Sequence, residues 1–212
     1  VGLDSDYIYS AHKAAGGITS FYRQLGIGCE RLVREIIKKS LSLSEEQANW
    51  SYEYTNSQKK IAKLSLDARI DVNHVQDKNR ISIINRWCKE SLTTLDNNRD
   101  GIKGAVFEVR QGYKSADSKR QNADLRNAVR AYNEGYLPVV MIMSNQLNEA
   151  IRSRYAGSQI LILSGRMSGN NKECTYSFFK EVVGFDLEGF FKKNQKTIRS
   201  EIEGILHNLV QP

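Results

Sequence analysis

The chain has 212 residues, 40% hydrophobic and 26% charged, a composition that excludes a disordered tail or a rod and predicts one compact domain with a buried core. Its 31 Lys and Arg against 24 Asp and Glu leave a net charge of +7, so the partner it favours is a polyanion, nucleic acid first among them. No apolar run reaches the ~20 residues that span a bilayer, and the opening VGLDSDYIYS lacks the order of a signal peptide. Cys29, Cys88 and Cys174 are odd in number and far apart, which argues against a disulfide framework and for a reducing, cytosolic compartment.

In chain order, Gly16, Gly17, Gly26 and Gly28 predict a short helix broken or capped before a second one. That second helix is expected from Cys29 to Leu41, where Cys29, Leu32, Val33, Ile36 and Ile37 recur at helical spacing and charged residues fill the other side. Ser44 and Gln47 fit a short capping box, and NWSYEYT after it suits an extended segment equally well. KIAKLSLDARIDV, from Lys60 to Val72, alternates apolar and polar residues and predicts a strand or hairpin arm carrying Asp67. The stretch around Ile84, Trp87, Cys88 and Leu92 suits a helix, although RISII alone suits a strand. DNNRDG is turn chemistry, and IKGAVFEVRQG reads as a strand with Glu108 and Arg110 on one face.

Ser118 to Tyr136 reads as a helix ending at Gly135. LPVVMIM is an apolar run typical of a strand buried on both faces. Asn145–Tyr155 reads as a helix, QILILS as another buried strand, and two helices close the chain. The expected fold is therefore α/β, a mixed central sheet flanked by helices. A single domain 1–212 would comprise N-terminal helices over 1–56, an α/β core over about 57–165 and C-terminal helices over 170–212.

The chemistry centres on Asp67 and Glu108. Phosphodiester hydrolysis needs a hard divalent cation held by carboxylates, and a neighbouring cation that offsets charge on the phosphate. Asp67 and Glu108 lie in two strands of one inferred sheet, and Arg110, Lys114 and Lys119 follow closely. The competing reading is a pair of ordinary outward-facing strand residues. Asp100 is a second candidate for the Asp, although Asp before Gly is more simply a turn. Glu30 and Glu35 are candidates for an assisting carboxylate.

Between Arg110 and Arg130 six basic residues face Asp117 and Asp124, an excess of +4. Lys119, Arg120, Gln121 and Asn122 fall in the first turn of a helix, where cations oppose the helix dipole and so ask for a reason beyond helix stability. With Lys114 they are the expected DNA contacts. SGRMSGNNKE lacks the spacing of a phosphate loop, and His12, His74 and His207 are isolated.

The phrases ITSFYRQLGIGCERLVREI, LSLDARI and VFEVRQGYKSADSKRQNADLRNA resemble type II restriction endonucleases of the PD-(D/E)xK superfamily, most closely the ApaLI-like group. The resemblance runs from about Gly17 to Tyr155. It implies a restriction-endonuclease-like core (αβββαβ), Mg2+ bound by Asp67 and Glu108, and cleavage of double-stranded DNA at a short palindrome by a homodimer in a prokaryotic cytoplasm. It departs from the motif at Arg110, where a lysine is expected. Arginine does not act as a base at neutral pH, leaving it an electrostatic clamp or passing the role to Lys114 or Lys119.

Overall fold

The computed structural model describes residues 6–55, 59–112 and 118–210. Helix α1 (Asp6–Ser40) is continuous through its glycines, which corrects the expected break. A Cβ added at Gly16, Gly26 or Gly28 would meet nothing within 4 Å, so these glycines serve no close contact. Each costs a fraction of the helix's stability, but once the helix is nucleated such a cost does not end it.

The short helix α2 (Glu45–Ala48) has the capping box read from Ser44 and Gln47, with both reciprocal bonds present. The ambiguous aromatic stretch is strand β1 (Trp50–Thr55). It pairs antiparallel with β2 (Ile61–Leu66) in the register Trp50↔Leu66, Tyr52↔Leu64, Tyr54↔Ala62. The chain bends at Asp67 and continues as β3 (Ala68–Asp71). The expected single arm is thus divided at Asp67 between two sheets.

Helix α3 (Lys78–Thr94) settles the RISII ambiguity. Asp77 caps its first turn by accepting the Asn79 and Arg80 N–H groups, and Ile84, Trp87, Cys88 and Leu92 are buried at helical spacing. Strand β4 (Gly104–Arg110), helix α4 (Ser118–Asn133), strand β5 (Leu137–Ile142), helix α5 (Glu149–Gly157) and strand β6 (Leu161–Leu163) follow. Helix α6 (Thr175–Phe178) runs into one π-helical turn (Phe179–Val183), and α7 (Leu187–Val210) closes the described chain.

The main sheet has the order β3-β4-β5-β6, with β3 antiparallel to β4 and the other pairs parallel. The protein is therefore α/β with one mixed sheet and one two-stranded antiparallel sheet. Parallel neighbours need a crossover, and α4 and α5 supply the two. Packing behind the sheet is apolar, for example Val140, Ile142, Ile151, Tyr155 and Ile162 in one cluster, and Trp50, Leu66, Val106 and Tyr136 in another.

One glycine fixes the register that matters. At Gly104 φ is +150°, and a Cβ there would lie 1.9 Å from the Ile70 carbonyl oxygen. Only glycine lets β3 and β4 close at that end. The Ala68↔Phe107 pairing then follows, and one step further Asp67 stands across from Glu108.

The chain divides into two compact units, Val1–Gly28 with Leu187–Pro212, and Cys29–Asp186. The second contains the mixed sheet, the hairpin and every residue of the candidate site. The three cysteines are free thiols, Cys88 and Cys174 buried. No helix among the described residues is long and apolar enough to cross a membrane.

Candidate active site

Asp67 occupies the bend between β2 and β3, where its backbone leaves one sheet for another. Its N–H donates to the Phe107 carbonyl at 2.9 Å, and its Oδ2 accepts the Val109 N–H at 2.7 Å. Arg34 of α1 donates its Nε to the Asp67 carbonyl at 2.7 Å. Two bonds thus hold this residue against β4, and a third ties it to α1.

Glu108 is the fifth of the seven residues of β4, one position past the paired Phe107, and its side chain is 16% exposed. Arg110 lies two residues on, on the same face, and forms an ion pair through Nη1 with Glu108 Oε1. Its Nη2 reaches Asp124 Oδ1 of α4 at 2.9 Å. Asp124 is only 2% exposed at its side chain, and its Oδ2 accepts the Tyr155 hydroxyl of α5 at 2.6 Å. A single guanidinium is therefore shared between two carboxylates, with the second anchored from another helix.

These groups set the electrostatics. Burial pushes the Asp67 carboxyl up to about 6. The Val109 N–H opposes that rise, the charge of Glu30 adds to it, and Arg110 and Arg34 oppose it. Burial likewise pushes Glu108 up, to about 8. Arg110 works against the rise, while the charges of Asp67 and Asp124 reinforce it. One shared cation does not offset three neighbouring acids in a desolvated site. Carboxyls raised by burial and by neighbouring negative charge are a setting whose cost a divalent cation would offset.

Asp67 and Glu108 are thus brought together as expected. Asp100, the second candidate, is exposed and lies before Gly104, at the end of β4 away from Glu108. Of the two assisting candidates, Glu30 acts on Asp67, whereas Glu35 pairs with Lys38 and Lys39. Lys114 falls outside the described residues. Lys119 and Arg120 lie in the first turn of α4, and their side chains are also outside the description.

Gln121 and Asn122 are already engaged. Gln121 is buried and its Oε1 accepts Arg154 Nη1 at 2.7 Å; Asn122 is exposed and its Oδ1 accepts Arg154 Nη2 at 2.7 Å. The burial of Gln121 counts against its expected role as a reader of base edges.

Arg34, Asp124 and Tyr155 were not legible as site residues. Asp124 left a trace in the sequence. Gln121, Asp124 and Asn127 recur three apart on the face of α4 that also buries Ala128 and Ala131, and polar residues in a core stripe ask for partners.

The donors present suit a hard cation such as Mg2+, which prefers oxygen and takes one or two carboxylates, completing its shell with water and phosphate oxygens. Among the described residues no group of three or more His, Cys, Asp or Glu is arranged to hold a metal, and Asp67 with Glu108 is the pair of carboxylates the site could offer one. Compared with protein-family models, curated proteins and solved structures, the chain matches none.

Proposed function

We propose that the chain is a Mg2+-dependent endonuclease of the PD-(D/E)xK type, a restriction enzyme of the ApaLI-like group in a prokaryotic restriction-modification system. It would hydrolyse both strands of duplex DNA at a short palindromic site. One observation carries the reading: the β3–β4 register, carried one step past Ala68, sets Asp67 across from Glu108, burial pushes both carboxyls up, and the charge of Asp67 raises Glu108 further. The order α1, hairpin strands, β4, α4, β5, with α3 as an insertion, is compatible with an αβββαβ core. The net charge of +7 suits a polyanionic substrate.

When bound, Mg2+ would lower the pKa of water to make a nucleophile and stabilise the charge of the leaving oxygen. The chain's residues do the rest. Asp67 and Glu108 hold the cation, and the Val109 N–H fixes the Asp67 carboxylate for it. Arg110 supplies fixed positive charge beside Glu108, not a base, and Asp124 with Tyr155 holds its guanidinium in place. A two-fold palindrome calls for a pair of chains, each cutting one strand.

The Arg110–Glu108 ion pair favours a second reading, a DNA-binding protein without catalysis, because it already neutralises one of the carboxylates. Incubating linear and branched duplex DNA with and without Mg2+ separates the two. Discrete fragments from linear DNA that require Mg2+ are expected, and fragments from branched DNA alone would make the enzyme structure-selective. Salt-sensitive binding with no fragments at any Mg2+ concentration would overturn the nuclease reading in favour of the second.

A further inference from the structure

A groove of about 630 Å³ lies between the β1–β2 hairpin and the outer side of α4, lined by Tyr52, Tyr54, Leu64, Arg126, Val129 and Arg130 among others. Its walls follow from the sequence pattern. Tyr52 and Tyr54 are two apart on β1, and Leu64 pairs with Tyr52, so the three share one face of the hairpin. Arg126, Val129 and Arg130 stand at i, i+3 and i+4 on α4, opposite the stripe that buries Asp124, Asn127, Ala128 and Ala131.

Apolar surface is left open here: Val129 is 63% and Tyr54 43% exposed. Among the described residues no carboxylate lines the groove. Arg130 lies over the Tyr52 ring, 5.4 Å from its centroid, and pairs through Nε with Glu134 at 2.8 Å. Arg126 is exposed and makes no ion pair among the described residues, although its charge reaches the Tyr52 hydroxyl. Two guanidiniums one helical turn apart, beside tyrosine rings and an exposed valine, suit an anion that repeats along a chain with apolar carbon surface, such as that of a sugar, between its charges.

The groove also adjoins the candidate active site. The Tyr52 hydroxyl donates to Asn127 Oδ1 at 3.0 Å, and Asn127 lines a small internal cavity together with Glu108 and Asp124.

We propose that this groove holds the sugar–phosphate backbone of DNA beside the cleavage site, with Arg126 and Arg130 on phosphate oxygens and Tyr54 and Val129 against a deoxyribose. The proposal rests on the nuclease reading for its location but is tested apart from it, by binding in Ca2+ in place of Mg2+. Titrating labelled duplex DNA across a salt series, Arg126→Ala should weaken Kd roughly three- to tenfold at 0.1 M salt and lower the slope of log K against log salt by about one. Val129→Glu, a surface change that puts negative charge in the groove, should weaken Kd further, and the thermal midpoint of each variant should stay at the wild-type value. Unchanged Kd and slope in both variants overturn the groove, even if DNA is cut. Tighter binding of polyglutamate than of DNA at matched salt overturns it too. A loss of binding in both variants, with no cleavage by the wild type, upholds the groove and removes the nuclease reading instead.

Discussion

An acid stands at each end of the β3 segment, Asp67 in the bend just before the strand and Asp71 at its last position, four residues apart, and the fold treats them in opposite ways. Asp71 is buried, and both its oxygens have donors: Oδ1 accepts the Asn73 N–H at 3.0 Å and Oδ2 the Tyr136 hydroxyl at 2.7 Å. Burial alone would push its carboxyl up, but these bonds and the charges of His74 and Lys103 outweigh it and leave the group below its usual range. Asp67 has one backbone donor and an acidic neighbourhood, and stands above its usual range. A buried carboxylate with its bonds complete is architecture. One short of donors, raised by burial and with an acid nearby, fits the proposed role of holding a cation.

The largest expected effect breaks or keeps that contrast. Asp67→Asn or Glu108→Gln should reduce single-turnover cleavage on the order of 10³-fold, because each removes a charged oxygen proposed to hold the metal. Asp71→Asn should leave the cleavage rate of the folded protein intact. It should instead lower the free energy of unfolding in urea by about 1–3 kcal/mol, since Tyr136 and Asn73 lose a charged acceptor. The reverse pattern, with Asp71 needed for cleavage and Asp67 dispensable, would show the roles of the two ends to be exchanged.

Much of this contrast was legible in the sequence, and the reasons are local. Alternation along GAVFEVR placed Glu108 on a strand with Arg110 on the same face, whereas the alternation along KIAKLSLDARIDV did not show that the arm breaks at Asp67 and passes from one sheet to another. The choice of Asp67 over Asp100 needed the register, which depends on the close approach of Gly104 to Ile70. Asp71 drew no notice because its partner Tyr136 lies 65 residues away. Tyr155 was hidden for the same reason, since its contact with Asp124 exists only once α4 and α5 pack on the sheet. The glycines of α1 misled because local propensity is a weak guide against a long helix already nucleated.

A smaller effect sharpens the role of Arg110. Tyr155→Phe takes the hydroxyl from a buried Asp124 oxygen and should cost about 1 kcal/mol of stability. If Asp124 merely filled the core, nothing more would follow. If Asp124 positions Arg110, the pH profile of cleavage should also move to higher pH, because a loosened guanidinium opposes the upward shift of Glu108 less well. A profile that keeps its place while stability falls would confine Tyr155 to architecture.

The pH dependence of the metal-free protein tests the same contrast without DNA. An unfolded glutamate loses its proton near pH ~4.3, whereas Glu108 holds its own to about 8. Between those values the folded chain binds more protons than the unfolded one, so stability falls as pH rises, by up to ~1.4 kcal/mol per pH unit for one full proton, and flattens above the folded pKa. Asp71 has the opposite sign, and its contribution is lost only as pH falls through the acid range. Glu108→Gln should therefore remove most of the decline between pH 6 and 8 in urea titrations, while Asp71→Asn leaves it in place. The same protons must leave before Asp67 and Glu108 can hold a cation, so Mg2+ affinity measured by calorimetry should rise across that interval, with proton release visible in buffers of different ionisation enthalpy. Affinity that is constant from pH 6 to 9 would mean that the two carboxylates are already ionised, and that the difference between the ends of β3 lies in packing and not in charge.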